Sequence, residues 1–155
     1  MVLDLPDTLI EILKEKAEGE DESIEGFLAD VLLDYLDVND PDSRAETYRR
    51  LSEKFLKEAE ELLREGDLVQ ASEKAWGASA QKVKAAAAER GIRIRSHREL
   101  HRFVENLADE MEDEELKQLW LTASSLHQNF YENWLSRGMV ESGVRGVKRF
   151  IEKLG

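Results

Sequence analysis

The stretch ERGIRIRSHRELHRF, Glu89 to Phe103, holds five arginines and two of the three histidines of a chain whose formal net charge is −12. Arg90, Arg93, Arg95, Arg98 and Arg102 concentrate positive charge where a helix should begin, because Ser96 followed three residues later by Glu99 is a capping-box pattern. The start of a helix is already positive: its first N–H groups are unpaired and its macrodipole points that way, so added cations repel unless an anion sits among them. An RNA backbone, a nucleotide phosphate or another anion bound by Arg93, Arg95, Arg98 and His97 would meet that need. Protein carboxylates would meet it too: DEMEDEE, Asp109 to Glu115, offers six, and residues 1–43 offer fourteen.

The histidines invite two further chemistries. His97 and His101 stand four apart, so they share a helix face as two metal ligands would. No third ligand is legible in the sequence, and Glu99 is one position away from where a zinc-protease glutamate would sit, so neither a metal nor a cofactor is expected. Both rings are expected beside the core stripe in contact with water. His127 falls between Ala123 and Phe130 on the apolar face of its helix and must find hydrogen-bond partners there. It either lines a groove between helices or protomers, with Tyr131 one turn on, or sits in the core and sets helix register. Asn129 and Asn133 point elsewhere and are expected in solvent. If the chain is catalytic, the side chains with the right chemistry are His127, Tyr131, Arg95 and His101. Ser79 in GASAQ lacks a nucleophile elbow, no glycine-rich phosphate loop follows a strand, and there is no cysteine.

These residues need helices to position them. Ser43 with Glu46 reads as a capping box opening an amphipathic helix through Tyr48, Leu51, Phe55, Ala59 and Leu62, which Gly66 ends. Asp67 opens a second helix, rich in alanine from Ala71 to Ala88 and ended by Gly91; its small side chains invite close neighbours. The third runs from Ser96 through Leu100, Val104, Leu107 and Met111. A fourth spans about Asp113 to Ser136, with Leu116, Trp120, Ala123, Phe130 and Trp134 inward, and a shorter one carries Val144, Val147, Phe150 and Ile151. Short connections predict antiparallel neighbours, hence an all-α, up-down four-helix bundle with an extra C-terminal helix.

Ahead of it, VLDLP alternates like a strand, and Thr8–Glu18 and Ser23–Leu36 read as two helices joined around Gly19. Residues 1–41 therefore form a small strand-helix-helix unit and 42–155 the bundle, with a turn at DVNDPDS where Pro41 disfavours helix in Asp40. Charge divides at the same place: residues 1–43 carry a net −12 and the remainder a net zero. The 155 residues, 36% of them charged, hold no apolar run long enough for a membrane span and no signal-like N-terminus, so a cytoplasmic location is expected.

Two segments resemble known families. Strand, proline, helix, turn and helix in under forty residues resembles ribbon-helix-helix dimers; the resemblance implies pairing of strands between protomers, with Leu3 and Leu5 inward. In that family the positions of Val2 and Asp4 read DNA and the start of the second helix, here EDES, meets phosphate; acid at both argues against DNA. Over about residues 44–154, LLREGDLVQASEKAWGASAQKVKAAAAERG, RSHRELHRFVENL and LHQNFYENW resemble the archaeal PaREP proteins, placed among HEPN-type helical bundles. The resemblance implies a HEPN-like bundle that dimerises. Many HEPN ribonucleases pair an arginine with a histidine a few residues later on a late helix. Before His127 those positions are Trp120 to Ala123, and only Arg90 with His97 and Arg95 with His101 match the spacing, earlier in the chain. The expected function is a non-enzymatic, self-associating bundle that binds a partner protein or an RNA or nucleotide anion. The alternatives are a metal-independent endoribonuclease or a toxin-antitoxin component.

Overall fold

The computed structural model describes residues 1–155 as seven α-helices and no strand. It divides into two compact units, residues 1–39 and 40–155. The all-α class holds; the N-terminal strand does not.

In the first unit α1 (Asp7–Gly19) follows Pro6 directly, and α2 (Ile24–Tyr35) packs back against it, burying Ala17 and Leu33. Residues 2–5 take no regular structure, and Val2 and Leu3 are fully in solvent. The alternation of VLDLP is real, but a strand needs a ladder partner for its N–H and C=O groups, and two helices supply none. The unit is therefore a helical hairpin. Asp21 turns the chain between the helices with φ 52°, and Ser23 Oγ caps α2 by accepting from the Gly26 amide at 3.0 Å.

The second unit contains α3 (Pro41–Glu65), α4 (Leu68–Glu89), α5 (His97–Met111), α6 (Glu114–Glu132) and α7 (Arg137–Lys153). α3 starts earlier than the Ser43–Glu46 pattern suggests. Asp40 is the cap, accepting from the Asp42 amide and the Ser43 hydroxyl, and Pro41 occupies the first helical position, where its missing N–H costs nothing. α3 and α4 form a hairpin closed at Gly66, whose φ of 86° is readily adopted only by glycine. α4 packs against α3, α5, α6 and α7 alike, and residues from Ala71 to Ala88 are almost all buried; its alanines let four helices approach one.

This is not a four-helix bundle with an appendage. α7 packs on α6, α4 and α3 and sinks Val140, Val144, Val147 and Phe150 into the common core, which also holds Trp76, Val83, Leu100, Val104, Leu116, Trp120 and Leu126. Gly143 makes the close approach possible: a Cβ there would stand 2.7 Å from Leu126 Cδ2. The fourth helix is also shorter than its apolar pattern predicts. α6 stops at Glu132 because Asn133 turns left-handed at φ 50°, leaving Trp134 62% exposed instead of inward, and Ser136 then caps α7.

Candidate functional site

α4, α5 and α6 bring all three histidines to one cluster. α4 contributes Glu73 and Trp76, the first turn of α5 contributes His97 and, one turn later, His101, and α6 contributes Trp120, His127 and Tyr131. Trp76 is buried and central: its ring stacks on His127 at 5.0 Å between centroids, lies 5.1 Å from Trp120 and 5.8 Å from His97. His97 and His127 are 5.6 Å apart by ring centroid, with a ring nitrogen of each within 4.8 Å of one on the other. Tyr131, 63% exposed, meets His127 edge-on at 5.4 Å.

His127 is held from the other side. Its Nδ1 lies 3.1 and 3.2 Å from the two carboxylate oxygens of Glu73. The carboxylate only accepts, so Nδ1 carries a proton and donates it to Glu73. The side chains of His127 and Glu73 are 15% and 27% exposed, enough for contact with a ligand and too little for free rotation. A carboxylate that fixes the tautomer of an imidazole is the usual way to orient a histidine for proton transfer or for binding.

His101 does something else. Trp120 is buried, and its indole N–H, which can only donate, bonds His101 Nδ1 at 2.8 Å. His101 keeps an exposed edge, yet burial of the side against Trp120, and secondly the charge of nearby His97, push its pKa below the ordinary imidazole value. The histidine pair at i, i+4 therefore does not act as one chelating pair: His97 turns to His127 and His101 to the tryptophan. Nor is His101 a water-bonded flank residue.

The basic stretch is partly as expected. Ser96 Oγ accepts from the Glu99 amide at 3.2 Å, and Glu99 reaches back to the Arg95 amide at 2.6 Å, one residue before the cap. Arg93, Arg95 and Arg98 are exposed on the connection and the first turn of α5. Of the six carboxylates of DEMEDEE, Glu110 pairs with Arg90, while Asp109, Glu115 and Asp113 pair with cations outside the patch, Lys117, Arg149 and Lys153 respectively. Of the patch, Arg90 pairs with that segment, and its guanidinium also lies over the Phe103 ring.

Sequence reasoning missed Glu73 and Trp76. Glu73 was the one acid inside the small-residue run ASEKAWGASA, a signal that its face of α4 meets something polar. Asn129 was misplaced: it is fully buried. Its Nδ2 donates to Ser72 Oγ at 3.0 Å and its Oδ1 accepts from the Trp134 and Leu135 amides at 2.9 Å, ending α6 from within.

Residues 47–151 match the model of the archaeal PaREP1/PaREP8 family. The chain belongs to that family. This PaREP1/PaREP8 chain is also similar to a Sulfolobus solfataricus protein of known crystal structure, at 26% identity and a TM-score of 0.60, over 67% of this chain and 92% of that one. No curated protein matches it. The matched region spans α3 to α7 and so contains the whole histidine–tryptophan cluster, while α1 and α2 lie outside it. No helix is long and apolar enough to cross a membrane.

Proposed function

We propose that this PaREP1/PaREP8 protein binds a nucleotide or single-stranded RNA at the face where the start of α5 meets α6. The observation that carries this is the approach of His97 to His127 beside the exposed Tyr131, at a helix start bearing Arg95 and Arg98, which hold no ion pair. Arginine side chains and the α5 N-terminus supply donors for phosphate, and the exposed Tyr131 supplies an aromatic ring for a base. We also propose that the chain self-associates. The apolar residues that α1 and α2 leave in solvent, Leu9, Ile10, Ile12, Val31, Leu32, Tyr35 and Leu36, are the surface on which two copies would meet.

The test is thermal melting with and without short RNA. A ligand at a hundredfold excess over its dissociation constant should stabilise the fold by about 2.7 kcal/mol, less as salt rises. Changing Arg95 and Arg98 together to Gln should abolish the gain and leave the unliganded melting temperature equal or higher, since repulsion at a helix start is relieved. A parent that ignores RNA and a destabilised double variant would refute the binding site.

The Glu73–His127 pair favours a second possibility, metal-independent RNA cleavage. Nε2 of His127 would take the proton of a ribose 2′-hydroxyl as its oxygen attacks phosphorus, and protonated His97 would give a proton to the departing 5′-oxygen. Cleavage of a fluorogenic RNA in EDTA, lost in both His127→Ala and His97→Ala, supports it; intact RNA leaves binding alone.

A further inference from the structure

A second basic site lies away from the histidine cluster, in the cleft between the end of α3 and the first half of α7. It has a volume of about 360 Å³ and is lined by Glu60, Leu63, Arg64, Arg137, Glu141, Val144, Arg145 and Lys148. We infer that this cleft binds the phosphate groups of a phosphorylated small molecule, through Arg64 of α3 and Arg137, Arg145 and Lys148 of α7.

The spacing on α7 puts Arg137, Glu141, Arg145 and Lys148 on one face, successive members three or four residues apart. Arg137 is fixed before any ligand arrives. Its Nη2 donates to the Leu63 carbonyl at 2.9 Å, in the last turn of α3, where that oxygen also accepts from the Gly66 amide, and its Nε donates to Glu141 at 2.8 Å. Glu141 is thus spent on Arg137. Arg64, Arg145 and Lys148 are exposed and hold no ion pair.

The other cations of α7 behave differently. Arg149 pairs with Glu115 at 2.8 Å, and Lys153 reaches Asp113 at 2.6 Å and Glu115 at 3.0 Å. Positive charge on the α6 side of α7 is neutralised by the protein; positive charge on the α3 side is left for something else. Four cations face two carboxylates, one of them already engaged, above a floor made by Leu63 and the buried Val144. Guanidinium forks match phosphate oxygens in a way a flexible lysine surface does not, and the volume is large enough for a small molecule.

Isothermal titration with inorganic pyrophosphate at low salt tests the assignment. Arg145→Gln with Lys148→Gln, two exposed changes, should weaken pyrophosphate at least tenfold, and Arg64→Gln on the opposite helix should weaken it in the same direction. Arg95→Gln with Arg98→Gln should leave this binding unchanged, which separates it from the α5 site. Absence of pyrophosphate binding to the parent, or binding that survives both cleft variants, would overturn the inference. So would a hexaglutamate peptide binding more tightly than pyrophosphate, since the occupant would then be an acidic protein segment.

Discussion

His101 shows how one hydrogen bond converts a candidate catalytic group into a structural one. Protonating Nδ1 would leave the Trp120 indole N–H facing a donor, and burial already holds the pKa low. The sign follows: the folded value lies below the unfolded one, near 6.5, so the stability is fully present above the unfolded value and is lost as pH falls toward the folded one. Urea midpoints should drop between about pH 7 and pH 5, and His101→Asn, whose Oδ1 still accepts from the indole, should flatten that drop. An unchanged pH dependence in the variant would place the titrating group elsewhere. Asn129 offers a second test. Asn129→Ala leaves the part-buried Trp134 and Leu135 amides without their acceptor and removes the donor to Ser72 Oγ, and should cost about 1–3 kcal/mol in denaturant unfolding.

At the scale of elements, packing density decides what the sequence pattern leaves open. Gly143 and Gly146 both face α6, yet they should respond oppositely to alanine. At Gly143 the new methyl would meet Leu126, itself 1% exposed and without room to move, so Gly143→Ala should destabilise by about 1–3 kcal/mol. At Gly146 the methyl would sit 3.2 Å from Cγ2 of the half-exposed Thr122, which can yield. Alanine there should gain up to about 1 kcal/mol of helix propensity. Melting both variants beside the parent checks the contrast. Much of this level was legible beforehand: Gly66, Asp67, Gly91 and Ser96 mark helix ends where the structure has them, because caps are local chemistry. The end of α6 was not legible, because the group that ends it is a buried side chain bonded to another helix.

For the whole molecule, the two units differ in charge and in what they can bury. A unit of thirty-nine residues has little core of its own, and Leu9, Ile10, Ile12, Val31 and Leu32 of α1 and α2 are exposed. Removing residues 1–39 should leave a folded α3–α7 unit, since that unit holds the common hydrophobic core, and should lower the mass measured by light scattering across a dilution series if two copies meet through the hairpin. An unchanged mass would move the contact to the α3–α7 unit, where Leu121, Trp134 and Met139 are exposed.

The class, the number of helices after the turn at DVNDPDS and most of their caps follow from local sequence, because periodicity and capping act within a few residues of one another, and the family likeness rests on motifs read the same way. The cap of α3, however, is Asp40 and not Ser43, because Pro41 fits the first helical position and Asp40 accepts from the Asp42 amide. Contacts between helices, in contrast, make VLDLP no strand, make α7 part of the core, and place His127 between Glu73, Trp76 and His97. Ring contacts across three helices depend on axial rotation and crossing angle, and those are set by how side-chain volumes interlock, a property no local pattern carries.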